Sequence, residues 1–501
     1  MAKVLVLLAV LVLQVFRCTG DETSGTPDGM EEWGYLDVRE GDSLELIRSQ
    51  RAKHECGFHK RNKLPKTDEC GYGHSLQSEF CRSEKIHRFR LMSNVLEVKS
   101  TPIVFWLQGG PGASGVGFGN FDEIGPISTT LEKRESTWLK VAHLLFVDNP
   151  VGTGYSYVDD ENLLCTTNKE VVDDLVSFVK TFFNTHEALK QSPFYIVAES
   201  YGGKFASEFG VAIQKNLKEL DFNFKGVALG DTWISPIDFL YAWGPLLKSF
   251  SLVDESANAR IDSYAVLAAS EMQKGNFLNA TYIWGDMEEE VLIATDNVDF
   301  YNLLKHESNE ELQYSSHKSH LGARLLKKSA PDPLTVIMNG PIREKLGIIP
   351  NSVQWSQSSG AVFGTLSADF MLDTIDKVDE LLALGVKVTI YSGQLDLICC
   401  TTGTEAWVQK LKWPGLAEFN RAERKAISCD ETQTSAFVKQ HENLTFYWIM
   451  NAGHMVPTDN PCMASKMLKL IIEEGSKTLP STKKAKSSVV DRHRNGLSAE
   501  M

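Results

Sequence analysis

Short apolar runs alternate along this chain with polar, glycine-rich breaks. Residues 102–107, 144–148, 194–198, 225–229, 386–390 and 445–449 are rich in Val, Ile, Leu, Phe, Tyr or Trp, and a Gly, Pro or Asn stands close to each. That pattern predicts strands buried on both faces. Residues 33–39 alternate apolar and polar side chains instead, predicting a first, partly exposed strand. Between 173 and 183, Leu175, Phe178, Val179, Phe182 and Phe183 recur at helical spacing, predicting a helix laid on the sheet. Residues 236–380 lack strand runs and carry helical stretches at 264–275 and 287–304, which predicts an insertion, about 237–380, over the mouth of the sheet as a lid. Two segments fit neither period. The stretch 49–93, crowded with Lys, Arg, His and Cys, predicts a long loop outside the core, and the Lys/Arg/Ser-rich 475–501 predicts a disordered tail.

The polar residues that follow the strand runs carry the candidate chemistry. After 194–198 comes Ser200 in Ala198-Glu-Ser-Tyr-Gly202, a G-x-S-x-G nucleophile elbow with Ala198 for the first glycine. Asp396 follows 386–390 in Tyr391-Ser-Gly-Gln-Leu-Asp396, and His454 follows 445–449 in Asn451-Ala-Gly-His454. Each lies past the C-terminal end of a parallel strand, where open α/β sheets gather their sites. The chain order Ser, Asp, His is that of the α/β-hydrolases, so the expected fold is α/β with a mostly parallel central sheet and a helical lid insertion. Residues 102–107 run into Gln108-Gly-Gly-Pro-Gly112, whose backbone N–H groups are free to bind an oxyanion.

The 501 residues, 43% hydrophobic and 23% charged, describe a globular protein. A net charge of -14 disfavours nucleic acid as a partner. Residues 1–20 read as a secretory signal peptide, and no later run is long enough to span a bilayer. The mature chain is therefore expected in the secretory pathway, secreted or lysosomal/vacuolar. Asn279 and Asn443 stand in glycosylation sequons that such a route would use. With Cys18 in the leader, Cys56, Cys70, Cys81, Cys165, Cys399, Cys400, Cys429 and Cys462 remain, an even number that permits disulfides without fixing their pairing. Vicinal Cys399 and Cys400 are not expected to pair with each other. His54, Cys56, His59, Cys70, His74 and Cys81 match no zinc spacing, and neither metal nor organic cofactor is implied.

Trp106-Leu-Gln-Gly-Gly-Pro-Gly112, Phe146-Val-Asp-Asn-Pro-Val-Gly-Thr-Gly-Tyr-Ser156, Glu199-Ser-Tyr-Gly-Gly203, Gly393-Gln-Leu-Asp396 and Gly453-His-Met-Val-Pro457 together resemble the serine carboxypeptidase family, with the likeness running from about 102 to 474 and failing within 49–93. The resemblance implies Ser200 as nucleophile, His454 as general base, Asp396 as its orienter, and the N–H groups of Gly110 and Tyr201 as oxyanion hole. Gln108, Gly109 and Glu199 would hold the terminal carboxylate of a peptide or protein substrate. The family has Asn where Gln108 stands and Cys where Ala113 stands, so one family disulfide is missing. Glu199 would share a proton with Asp122 or Glu123, which implies an acid optimum. A homodimer is compatible with the sequence. Two other functions fit the same residues: an acyltransferase on the same triad, or an inactive secreted scaffold.

Overall fold

A computed structural model describes residues 23–25, 31–38, 85–92, 100–306, 332–429 and 433–476. The expected leader at 1–20, residues 49–84 and the tail from 477 lie outside the described residues. One sheet organises the rest. Its strands are β1 (Thr23–Gly25), β2 (Glu31–Asp37), β3 (Lys85–Met92), β4 (Ile103–Leu107), β5 (His143–Val147), β6 (Tyr157–Val158), β7 (Phe194–Ser200), β8 (Phe224–Thr232), β9 (Lys387–Gly393), β10 (Lys425–Ile427), β11 (Ala436–His441) and β12 (Leu444–Ile449). They lie in the order β1-β2-β3-β5-β4-β7-β8-β9-β12-β11-β10, with β6 beside β3. From β5 through β12 every neighbouring pair is parallel, and the strands outside that block are antiparallel.

Side chains alternate across the sheet as the period of a strand requires. Ile103, Phe105 and Leu107 face one core, and Val104 and Trp106 face the other. Helix α1 (Asn168–Thr185) buries Leu175, Phe178, Val179, Phe182 and Phe183 on the first face, where Phe105 lies 5.9 Å from Phe178 and 5.8 Å from Phe194. Helix α2 (Gly202–Leu220) leaves β7 on the same side. Between β8 and β9 the described elements are all helical, including α3 (Pro236–Ser249), α4 (Glu255–Gln273), α5 (Phe277–Thr295), α6 (Gly360–Phe370) and α7 (Ile375–Ala383). On the second face α8 (Pro461–Ser476) sets Met463, Met467 and Leu468 against the Trp106 side.

The structure departs from the sequence reading in two places. First, β3 falls inside 49–93, where no strand is expected. It pairs with β2 over seven residues and with β5 over four, filling a position within the sheet. Second, the expected helix at 287–304 starts at Phe277 and stops at Thr295, because Asp296 (φ 55°) and Asn297 (φ 68°) turn left-handed, a conformation that short polar side chains tolerate. Cys429 pairs with Cys462 across a Cα separation of 6.1 Å, a pairing the sequence left open, and Cys399 and Cys400 are buried thiols outside any disulfide, as expected for vicinal cysteines.

Candidate active site

Ser200 ends β7 at φ +60° and Tyr201 opens α2, so the chain makes a strained turn at the serine itself. A left-handed non-glycine residue costs on the order of 1–2 kcal/mol, and such strain gathers at functional sites. The turn is held from both sides. Trp233 N–H donates to the Ser200 carbonyl at 2.9 Å. A Cβ on Gly109 would lie 2.5 Å from Ser200 Cβ and 2.7 Å from Tyr201 N, so the loop after β4 packs directly on the elbow only because residue 109 is glycine. The loop is fixed in turn by buried Asp148 at the end of β5. Asp148 accepts from Ser114 Oγ at 2.5 Å, Val116 N at 3.1 Å and Tyr155 N at 2.9 Å.

Beyond β12, His454 Nδ1 is bonded to Asp396 Oδ2 at 2.8 Å, with both side chains buried. The His454 loop is tied down by its own N–H to the Tyr301 carbonyl at 2.8 Å and by Gly453 N–H to Asp459 Oδ2 at 2.8 Å. Burial pushes the Asp396 carboxyl up, opposed by the N–H groups of Cys399 and Ile398 and by Asp231. Burial pulls the His454 imidazole down, which favours its unprotonated form. Asp396, Cys399 and His454 bring ligand-type atoms within 4.8 Å of one another, but Asp396 and His454 are bonded to each other and burial pushes the Cys399 thiol well up. With Cys399 N–H donating to Asp396 Oδ1, the three form one hydrogen-bonded set.

A second polar group adjoins the serine. Trp106 Nε1–H donates to Gln108 Oε1 at 2.6 Å, which turns the amide so that Nε2–H donates to Glu199 Oε1 at 2.7 Å. The longer side chain is thereby anchored at both ends of its amide. Glu123, from the helical turn Gly115–Ile124, lies within hydrogen-bond reach of Glu199. Burial pushes Glu123 up to about 7 and, together with the Glu123 charge, raises Glu199 well above the usual range. With both ionised, Glu123 Oε1 and Oε2 and Glu199 Oε2 would be buried without a donor; one shared proton joins two of these three oxygens and removes one of the two charges. Asp122, raised to about 6 chiefly by burial, sits beside Arg134 and Asp332. Between the two acids expected to face Glu199, the structure brings Glu123 to it.

The remaining expected residues are Asn279, exposed on α5, and Asn443, which is 7% exposed. Both amide hydrogens of Asn443 go to backbone carbonyls, Leu382 at 3.0 Å and Val386 at 2.8 Å. Sequence reasoning missed Asp148, Asp231 and the orienting indole of Trp106. An acid closing an otherwise apolar strand run was the available signal for the first two.

Residues 74–474 match the serine carboxypeptidase family. The retinoid-inducible serine carboxypeptidase of Mus musculus is 47% identical over 383 residues, covering 74% of this chain and 85% of that protein. Serine carboxypeptidase-like 51 of Arabidopsis thaliana is 40% identical over 490 residues, covering 93% of this chain and 98% of that protein. Among solved structures, the prohormone-processing carboxypeptidase Kex1 of Saccharomyces cerevisiae superposes with a TM-score of 0.66 at 21% identity, covering 90% and 92% of the two chains, and speaks for the fold alone. The family match starts within 49–93, so the likeness reaches further back than the motifs had suggested. Carrying these motifs on an α/β-hydrolase sheet, matched over residues 74–474, the chain belongs to the serine carboxypeptidase family.

Proposed function

We propose that the chain is a serine-type carboxypeptidase that removes C-terminal residues from peptides through an acyl-enzyme in acid. The observation that carries this reading is the Gln108–Glu199–Glu123 group, buried one residue from Ser200. Gln108 Nε2 has two hydrogens, one given to Glu199 and one left for a substrate carboxylate. The Gly109 N–H and a protonated Glu199 add donors for the same anion. Such a cluster selects substrates that end at that point, which is what separates an exopeptidase from an endopeptidase.

With the carboxylate held, Ser200 Oγ attacks the last peptide carbonyl and passes its proton to His454 Nε2, while Asp396 keeps Nδ1–H oriented. The N–H groups of Gly110 and Tyr201 receive the oxyanion. His454 then protonates the departing amino acid, and water attacks the acyl-enzyme by the same route. The helices between β8 and β9 act as a lid that shapes the entrance. The leader and the acid-adapted carboxyl pair support a secreted or lysosomal destination, and among the described residues no helix is long and apolar enough to cross a membrane.

Release of the terminal residue from a blocked dipeptide at pH about 5 tests the reading. Ser200→Ala is expected to lose ~10⁴-fold or more in kcat. An active Ser200→Ala variant, or wild-type cleavage of a peptide with an amidated C-terminus at an equal rate, would overturn it.

A further inference from the structure

Asp231 is a buried acid that the mechanism above leaves without a task. One residue before the end of β8, it is the extra residue of a β-bulge: Glu199 pairs with Gly230 and Ser200 with Thr232, so Asp231 has no partner on β7. Its φ of 44° is left-handed, and bulges re-aim side chains beside active sites. Here the bulge turns the carboxyl across β9. Oδ1 accepts from Gly393 N–H at 2.7 Å, and the carbonyl of the same Gly393 accepts from Asp396 N–H at 3.3 Å, so the two acids flank one residue and their charges bear on each other. Asp231 is 1% exposed, and Oδ2 finds no donor among the described residues.

Two adjoining carboxyls in a dry site do not both ionise; one keeps a proton. The proton belongs on Asp231. Asp396 already accepts from His454 and from Cys399 N–H, while among the described residues Asp231 accepts only from Gly393 N–H. A neutral Asp231 uses Oδ2–H as a donor to Asp396, which gives the otherwise unpartnered oxygen its bond. The other groups that face Asp231 are His454, Tyr391 of β9, Cys399 in the turn after it, and Glu199 of β7.

We propose that Asp231 is a positioning residue for the hydrolytic reaction: held as a neutral acid, it donates a hydrogen bond to Asp396, keeps that carboxylate ionised in acid, and spares His454 the field of a second anion. The inference rests on reading Ser200, His454 and Asp396 as a triad. A carboxylate that already accepts a strong hydrogen bond stabilises an imidazolium less, so His454 stays unprotonated, and competent as a base, at lower pH.

The test compares the full chain with Asp231→Asn and Asp231→Ala in the pH profile of kcat. Asparagine keeps both bonds, its oxygen toward Gly393 N–H and its amide hydrogen toward Asp396, so the acid limb should stay within ~0.3 pH unit of wild type. Alanine removes the donor, and the limb should move up by roughly one unit. A purely structural role would lower both melting temperatures without moving either limb. Should the alanine variant not fold, infrared difference spectra of wild type minus Asp231→Asn at neutral pH still decide, through the carbonyl band of a buried protonated carboxyl. An absent band, an asparagine limb displaced by a unit, or an alanine limb left in place overturns the proposal. Activity surviving Ser200→Ala is a separate outcome that removes the triad reading itself.

Discussion

On the proposed carboxylate-binding reading, Glu199 and Glu123 fix the direction in which pH acts on binding. Their shared proton is present in acid and leaves only as pH rises well beyond the ordinary carboxyl range, because burial drives Glu123 up to about 7 and Glu199 well above its usual range. Once it has gone, a substrate carboxylate meets two anions instead of a donor. KM in the wild type should therefore climb roughly tenfold per pH unit above that point. Glu199→Gln carries permanent amide hydrogens, so its KM should change by less than about threefold over the same interval. Steady-state kinetics from pH about 5 to about 8 would decide, and equal slopes for the two proteins would remove the pair from carboxylate binding. The two sequons separate on the same scale. Asn279 is exposed and bonded only to Glu271 at 2.9 Å, whereas both amide hydrogens of Asn443 are committed to buried carbonyls. Glycopeptide mapping of the secreted chain is expected to find a glycan on Asn279 and an unmodified Asn443; occupancy at Asn443 would mean that this corner of the fold opens.

Between elements, a buried ion pair joins the elbow helix to the insertion. Lys204 of α2, wholly buried, donates to Asp369 Oδ1 of α6 at 3.0 Å and to its carbonyl at 2.5 Å. The Tyr201 hydroxyl donates to the same carboxylate at 3.1 Å, and Asn168 N–H at 3.2 Å. Asp369→Ala would strand a buried cation and should cost about 3–5 kcal/mol, while Lys204→Met removes the charge together with its desolvation and should cost less. Chemical denaturation reads both, and the reverse ranking would refute the latch. None of this was legible in the sequence, because Lys204 and Asp369 stand 165 positions apart and meet only in the folded chain. What could be read was local. The buried parallel strands announced themselves as apolar runs, and Ser200, Asp396 and His454 stood just past three of them. Strand β3 escaped because Lys85, Arg88 and Arg90 break its apolar signal, and its place depends on pairing with β2 and β5. The bulge at Asp231 escaped for a similar reason: an extra residue is defined only against a partner strand.

At the scale of the whole molecule, the buried acids make the fold itself acid-adapted. Glu123 has a folded value of about 7 against an ordinary 4.5, so the native chain holds a proton that the unfolded chain releases first. Between those two values the native state binds more protons, and stability must fall as pH rises. The slope is about 1.4 kcal/mol per pH unit for each proton so held. His186 acts in the same sense. Burial pulls its imidazole down, but the Glu32 carboxylate at 3.0 Å outweighs burial and raises it, so its stabilisation is full in acid and is lost as pH climbs through the raised value. Glu271 acts oppositely, lowered to about 2 by Lys274, Asn279 and Asn276, but it lies on the surface, where water screens the effect. Denaturation midpoints should therefore decline from about pH 5 to about pH 8, with Glu123→Gln flattening the decline because it has no proton to lose. Midpoints that rise across this range would mean that Glu123 and Glu199 do not hold their proton in the folded chain, and the carboxylate-binding role assigned to them would fall with it.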